Sequence, residues 1–194
     1  MEQRWNLDDL HKNYDEAYAN LDKAHQEAKL FAEKYKTSLG NDIDQAIAEY
    51  EAIREKIERT SYYSGLDHST HMKDAKIAQH YAKIQERIAD ISKELVFFTL
   101  AINRLFETPK KSRYLNWITQ VRLMKDYELS EELEAFLCDK DLTAQNAWIR
   151  LFEEVLSHLE FGFQGKTVGL EKVLEGMSSH DGIVRKAAAE SLNK

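Results

Sequence analysis

The sequence predicts a mainly all-α protein: a long antiparallel helical hairpin or bundle, then a second helical lobe carrying one small β-hairpin. Three observations carry that expectation. Helix breakers are scarce, with one proline and seven glycines in 194 residues. Apolar residues recur at spacings of three and four over long stretches, as on one face of a helix. Only one short segment alternates apolar and polar residues in the manner of a strand.

The first helix is expected over residues 15–38. Tyr14, Tyr18, Leu21, Ala28, Phe31, Tyr35 and Leu39 form its apolar stripe. Trp5, Leu7 and Leu10 precede it as a short lead-in that docks on the body. Gly40 suits a C-cap, and Asn41 or Asp42 suits the start of the next helix. That second helix carries Ile43, Ile47, Tyr50, Ile53 and Ile57 on one face and is expected to run out near Tyr63 and Gly65. A long third helix is expected over 69–106. Its stripe runs from Met72 through Ile84, Ile91, Leu95 and Phe98 to Leu105. Burying one large apolar side chain is worth ~1.5–3 kcal/mol, against ~0.3–0.5 kcal/mol for a surface pair such as Arg54 with Glu58. The stripes, not the charges, therefore drive the three helices together.

Glu107-Thr108-Pro109-Lys110-Lys111 is the clearest punctuation, and it divides the chain into an arm (1–108) and a smaller lobe (112–194). In the lobe a helix is expected over 113–125, with Tyr114, Trp117, Ile118 and Val121 facing inward. Ser130 caps a helix containing Leu133, Phe136 and Leu137. Thr143 caps another, with Ala147, Trp148, Leu151, Phe152, Val155 and Leu156. Residues 159–169 break the helical period. Leu159, Phe161 and Phe163 alternate with Glu160 and Gly162, and Gln164-Gly165 reads as a turn into Lys166-Thr167-Val168. A short helix at 170–177 and a last one from Asp181 onward complete the chain. That last helix still reads as strong at the end of the sequence, as expected of a chain cut within a longer protein.

Composition narrows the function classes. A hydrophobic fraction of 43% supports a sizeable core, and a formal net charge of -7 argues against phosphate-backbone binding. No apolar run reaches the length of a membrane span. The stretch from Met1 to Trp5 has no apolar signal region. One cysteine, Cys138, leaves no internal disulfide and reads as a buried structural thiol. The expectation is a cytoplasmic protein that binds neither nucleic acid nor membrane.

Chemical motifs are mostly missing. There is no Gly-rich phosphate loop and no G-x-S-x-G elbow. Asp67, His68, His71 and Asp74 have a spacing that a metal could use, but acidic and small polar residues are also ordinary at a helix start, which is the reading adopted. His158 opens a near miss to H-E-x-x-H, with Leu159 intervening and Phe163 where a second histidine is needed. Glu131, Glu132 and Glu134 read as first-turn helix stabilisers after Ser130. No catalytic, cofactor or metal residue is assigned.

Several segments, in order, resemble the N-terminal, non-catalytic region of the oligoendopeptidase F family of zinc metallopeptidases, relatives of thimet oligopeptidase. They are Trp5-Asn6-Leu7-Asp8-Asp9-Leu10, Glu49-Tyr50-Glu51 with Tyr62-Tyr63-Ser64-Gly65-Leu66, and Glu94-Leu95-Val96-Phe97-Phe98. Leu129-Ser130-Glu131-Glu132-Leu133-Glu134, Asn146-Ala147-Trp148-Ile149-Arg150-Leu151-Phe152, Leu159-Glu160-Phe161 and the run Ser179-His180-Asp181-Gly182-Ile183-Val184-Arg185-Lys186-Ala187-Ala188 continue the series. The resemblance implies an accessory domain of a peptidase for short peptides. It would form a wall of the substrate channel and pair with a catalytic domain beyond this chain. Zinc would belong to the full-length protein and not to these residues. Tyr62, Tyr63 and the 159–169 hairpin are candidates to face the channel, but core and surface packing is the reading favoured for them. The alternative is a free-standing helical interaction module with no enzymatic activity.

Overall fold

The computed structural model describes residues 6–37, 39, 42–105, 109 and 111–193. Trp5 of the lead-in, Gly40 and Asn41 of the first loop, and Glu107, Thr108 and Lys110 beside Pro109 lie outside the described residues. Within them stand eight α-helices, one 3₁₀ turn and a two-stranded antiparallel sheet, so the mainly all-α expectation is met. The chain forms two compact units, Met1–Ala144 and Gln145–Lys194.

The first unit is built on α1 (Tyr14–Tyr35), α2 (Ile43–Thr70) and α3 (Ala75–Asn103). Each buries a seam with alternating steps of four and three. On α1 it is Ala17, Leu21, Ala24, Ala28, Phe31 and Tyr35; on α2, Ala46, Tyr50, Ile53, Ile57, Thr60 and Ser64; on α3, Ile84, Ile88, Ile91, Leu95, Phe98 and Ile102. Such a 3.5-residue repeat keeps one stripe against the neighbours along the whole helix. The three helices pack mutually. Tyr14 near the start of α1 meets Asp67 near the end of α2, and Lys34 meets Glu49. Tyr50 of α2 likewise meets Phe98 of α3. Successive helices are therefore antiparallel.

Each start has a side-chain cap: Asn13, Asp42 and Asp74 accept from the amides of Glu16, Gln45 and Ile77. The largest departures from the expected boundaries lie where α2 passes into α3. α2 runs through Gly65 to Thr70, and α3 begins at Ala75 rather than at residue 69. A lone glycine costs a helix about 1 kcal/mol. Burial of Tyr63 and Ser64 and the Tyr14–Asp67 bond outweigh that penalty. Asp74 then supplies the N-cap of α3.

α4 (Leu115–Leu123) turns Ile118, Trp117, Tyr114 and Val121 onto this core, as expected. A 3₁₀ turn (Lys125–Tyr127) leads to α5 (Glu131–Thr143), which Ser130 caps and which packs on α3. Lys36 reaches Glu131 at 2.6 Å, and Lys93 on α3 reaches Asp139 on α5 at 2.8 Å. Cys138 on α5 is half-buried, not buried as expected. Partial burial, with Asp139 and Glu134 beside it, pushes its thiol pKa up, which suits an inert thiol.

The second unit opens with α6 (Gln145–His158), which contributes no buried residue. Thr143, expected as its cap, instead ends α5 with its hydroxyl on the Lys140 carbonyl. β1 (Phe161–Phe163) pairs with β2 (Lys166–Val168) across Gln164-Gly165. Both turn residues have positive φ, 51° and 75°, which is the geometry a two-residue hairpin loop demands. α7 (Leu170–Met177) and α8 (Gly182–Leu192) close over this hairpin around Phe163, Val173 and Ala188. The Ser191 hydroxyl donates to the Gly162 carbonyl at 3.0 Å, which ties α8 to β1.

Candidate functional site

Histidines, tyrosines and carboxylates gather where α1 begins and α2 passes into α3. Asp67 is the hub. Its Oδ2 accepts from the Tyr14 hydroxyl at 2.6 Å, and its Oδ1 lies 3.1 Å from His71 Nδ1. His68 stacks on Tyr81 with ring centroids 4.7 Å apart. Asp74 caps α3. The four residues with metal-like spacing are thus spread over a hydrogen bond, a ring stack and a helix cap. Among the described residues, no three His, Cys, Asp or Glu side chains form a group that could hold a metal ion. His80 completes the cluster. Its ring lies flat on Tyr14, centroids 4.0 Å apart, and its Nδ1 is 2.8 Å from the Tyr18 hydroxyl. Burial and the Asp67 carboxylate push the Tyr14 pKa far up, so the phenol stays neutral and donates.

The lead-in sets a second arrangement that the sequence reading missed. Arg59 on α2 donates from Nε to the Leu10 carbonyl at 2.7 Å and from Nη2 to the Asp9 carbonyl at 2.6 Å. This clamp drops His11 into the unit, where it is 3% exposed. His11 Nε2 lies 3.0 Å from the Thr60 hydroxyl, and Asn20 donates to that same oxygen at 2.9 Å and to the Lys56 carbonyl at 2.8 Å. With Asn20 donating to the Thr60 oxygen, the hydroxyl proton is free to point at Nε2. The His11 proton then sits on Nδ1, which has no partner among the described residues. A cavity of about 440 Å³ between α1 and α2 adjoins this triad, its rim carrying Glu16, Lys23, Glu55, Lys56 and Arg59. Sequence offered no signal for it, because one histidine between Leu10 and Lys12 belongs to no motif.

Burial lowers the His11 pKa below the ordinary 6.5, with Arg59 reinforcing and Glu16 opposing. The folded state therefore refuses a proton that the unfolded chain accepts. The stability this confers is complete above pH 6.5 and falls as the pH drops through the window below it. Unfolding measured between pH 7 and 5 is expected to show a loss on acidification that His11→Gln reduces. Equal slopes for the two proteins would refute the burial argument.

The remaining candidates are placed as follows. Tyr62 is 63% exposed and Tyr63 is 8% exposed, with the Tyr63 ring 5.3 Å from Tyr14 and 5.5 Å from His11. His158 ends α6, its Nδ1 2.8 Å from the Glu154 carbonyl. Glu131 pairs with Lys36, and Glu134 accepts from the Leu129 amide at 3.0 Å. In the hairpin, Phe163 is buried and Phe161 half-buried. No described helix is long and apolar enough to cross a membrane.

A family model described as Oligopeptidase F matches residues 101–161. The crystal structure of oligoendopeptidase-F from Enterococcus faecium has a similar fold, with a TM-score of 0.72 and 22% identity, over 92% of this chain and 38% of that one. At that identity the likeness speaks for the fold, and the chain spans well under half the length of that protein. No curated protein sequence matches. Both findings agree with the resemblance to the N-terminal region of an oligoendopeptidase F.

Proposed function

We propose that this chain is the N-terminal accessory part of a zinc-dependent oligoendopeptidase, and that it forms one wall of a channel admitting short peptides. The observation that carries the reading is the agreement of a family match at 101–161 with a fold match over 92% of the chain. The function assigned to these helices is one of shape: a rigid seam-packed body restricts access, and the chemistry lies elsewhere in the protein. Zinc does not fit the residues described here. Asp67, His68, His71 and Asp74 are committed to other partners, and His158 to a helix end. No catalytic step is therefore routed through this chain. Oligopeptides as substrates, a catalytic domain as covalent partner, and a cytoplasmic location belong to the same proposal.

The test reads the coding region downstream of Lys194 and assays its product on short fluorogenic peptides. An encoded H-E-x-x-H helix is expected, with cleavage that a chelator abolishes and zinc restores. A longer product without that motif, or one that contains it and cleaves no short peptide, would overturn the reading. The second reading, a free-standing interaction module, draws on the exposed apolar side chains of α6. It gains if no peptidase is encoded beyond Lys194.

A further inference from the structure

The cavity beside His11, at about 440 Å³, falls within the ~300–1,000 Å³ range of small-molecule sites. α1 and α2 each lend it one face, at i, i+3, i+4, i+7 spacing from Glu16 and from Ala52. Only Ala19 and Ala52 of its nine lining residues are apolar, so it suits a polar ligand, and their short side chains leave room between the helices. Two lining side chains are held in place. Asn20 spans the Thr60 hydroxyl and the Lys56 carbonyl, and His11 is fixed by the same hydroxyl. The unpaired Nδ1 of buried His11 favours an acceptor brought to that side.

The charges say which polar ligand. Further along the same helix pair, opposite charges close on each other: Lys34 meets Glu49 at 2.7 Å, and Lys56 meets Glu27 at 2.8 Å. In the cavity Lys23 and Glu55 are both exposed, and neither has an ion pair or hydrogen bond among the described residues. Arg59 and Glu16 add one more charge of each sign. Their side chains bond only backbone groups, the carbonyls of Asp9 and Leu10 and the amide of Lys12. Cations and anions thus share one cavity in equal number without neutralising each other. A single ion is attracted by one sign and repelled by the other, whereas a ligand with both charges on a short skeleton is attracted by both. We propose that this cavity binds a small zwitterion of the amino-acid class, with Glu55 holding its ammonium group and Lys23 its carboxylate. The site lies wholly within the first unit and does not depend on the peptidase reading.

Thermal unfolding of the 194-residue chain with each of the common free amino acids in turn tests this. A ligand at about tenfold its Kd raises the melting temperature by about 3–6 °C, and at least one amino acid is expected to do so. Its N-acetyl derivative lacks the ammonium charge and its α-amide lacks the carboxylate charge. Each should bind about tenfold more weakly. Glu55→Gln should weaken the free amino acid and no longer penalise the N-acetyl derivative. Lys23→Ala should do the same with the α-amide. Both side chains are exposed, so without ligand both variants should melt like the parent. Lys29→Ala, an exposed α1 lysine outside the cavity, is the control and should bind unchanged. No stabilisation by any amino acid, or stabilisation that survives both Glu55→Gln and Lys23→Ala, overturns the proposal. Equal stabilisation by the N-acetyl derivative or by inorganic phosphate makes the site one for simple anions and overturns it too. Peptide cleavage by a longer product bears on the peptidase reading alone.

Discussion

Phe98→Ala is expected to lower the unfolding free energy by about 3–5 kcal/mol, as measured for large-to-small changes in packed cores. Phe98 is 0% exposed, and its ring is the meeting point of all four helices of the first unit's core. Phe31 of α1 lies edge-on with centroids 4.9 Å apart, Tyr50 of α2 is tilted at 4.9 Å, Phe97 is at 6.3 Å and Trp117 of α4 is at 6.4 Å. These separations lie in the range where aromatic pairs add ~0.5–1.5 kcal/mol beyond burial. Removing the ring leaves a cavity that none of the four helices can fill without breaking its own seam. Urea unfolding followed by far-UV circular dichroism should show a lower midpoint with the slope unchanged. For a chain of this size the melting temperature should fall by roughly 6–20 °C. Tyr127→Ala, at a residue 76% exposed, serves as the control and should stay within about 0.5 kcal/mol. A loss below about 1 kcal/mol for Phe98→Ala would show that the four helices repack around the gap.

Gly176→Val is expected to destabilise the second unit by about 1–3 kcal/mol or more through overpacking. A Cβ at this position would stand 2.6 Å from Phe163 Cζ and 3.1 Å from the Ala188 Cβ. Helix propensity opposes the effect, since replacing glycine inside a helix gains at most about 1 kcal/mol. The clash wins because its neighbours cannot yield. Phe163 is a 6% exposed residue of β1, packed in the cluster with Val173, and Ala188 is a 0% exposed part of α8. Gly176→Ala should show the same effect at smaller size, because it adds the clashing atom and no branch. Hydrogen exchange locates the change: amides of α7, α8 and the β1–β2 pair should lose protection, and those of α1–α3 should keep theirs. Unchanged protection in α7 and α8 for Gly176→Val would mean that Phe163 swings aside freely, and the tight approach would lose its importance.

Much of the first unit was legible in the sequence, because its signals are local. The stripes on α1, α2 and α3, the inward face of α4 and the Ser130 cap all follow from residues a few positions apart. The hairpin was legible for the same reason, since Gln164-Gly165 supplies the positive φ its turn needs. Ala17 and Ala24 were not picked out, although both are 0% exposed. Small residues carry little apolar signal, yet they set how closely α1 approaches its neighbours. The end of α2 was misplaced because Gly65 reads as a breaker, while its tertiary partners lie more than fifty positions away. The lead-in was legible as a docked segment, but its buried His11 was not. That position depends on Arg59, Thr60 and Asn20 meeting it from two helices.

The sequence by itself determined the helical class, the order of elements, the caps at Asp42 and Ser130 and the turn, because each depends on backbone preferences and side chains within one or two turns. It also carried the resemblance to the oligoendopeptidase F region. Only the tertiary structure decided which apolar stripes are interior. The stripe on α6 has the same three- and four-residue spacing as the one on α3, yet α3 buries Ile84, Ile91 and Phe98 while α6 leaves Trp148 and Phe152 in water. Periodicity says that a helix has an apolar face. Whether that face is core or surface depends on what stands opposite it, and that is a property of the packed chain.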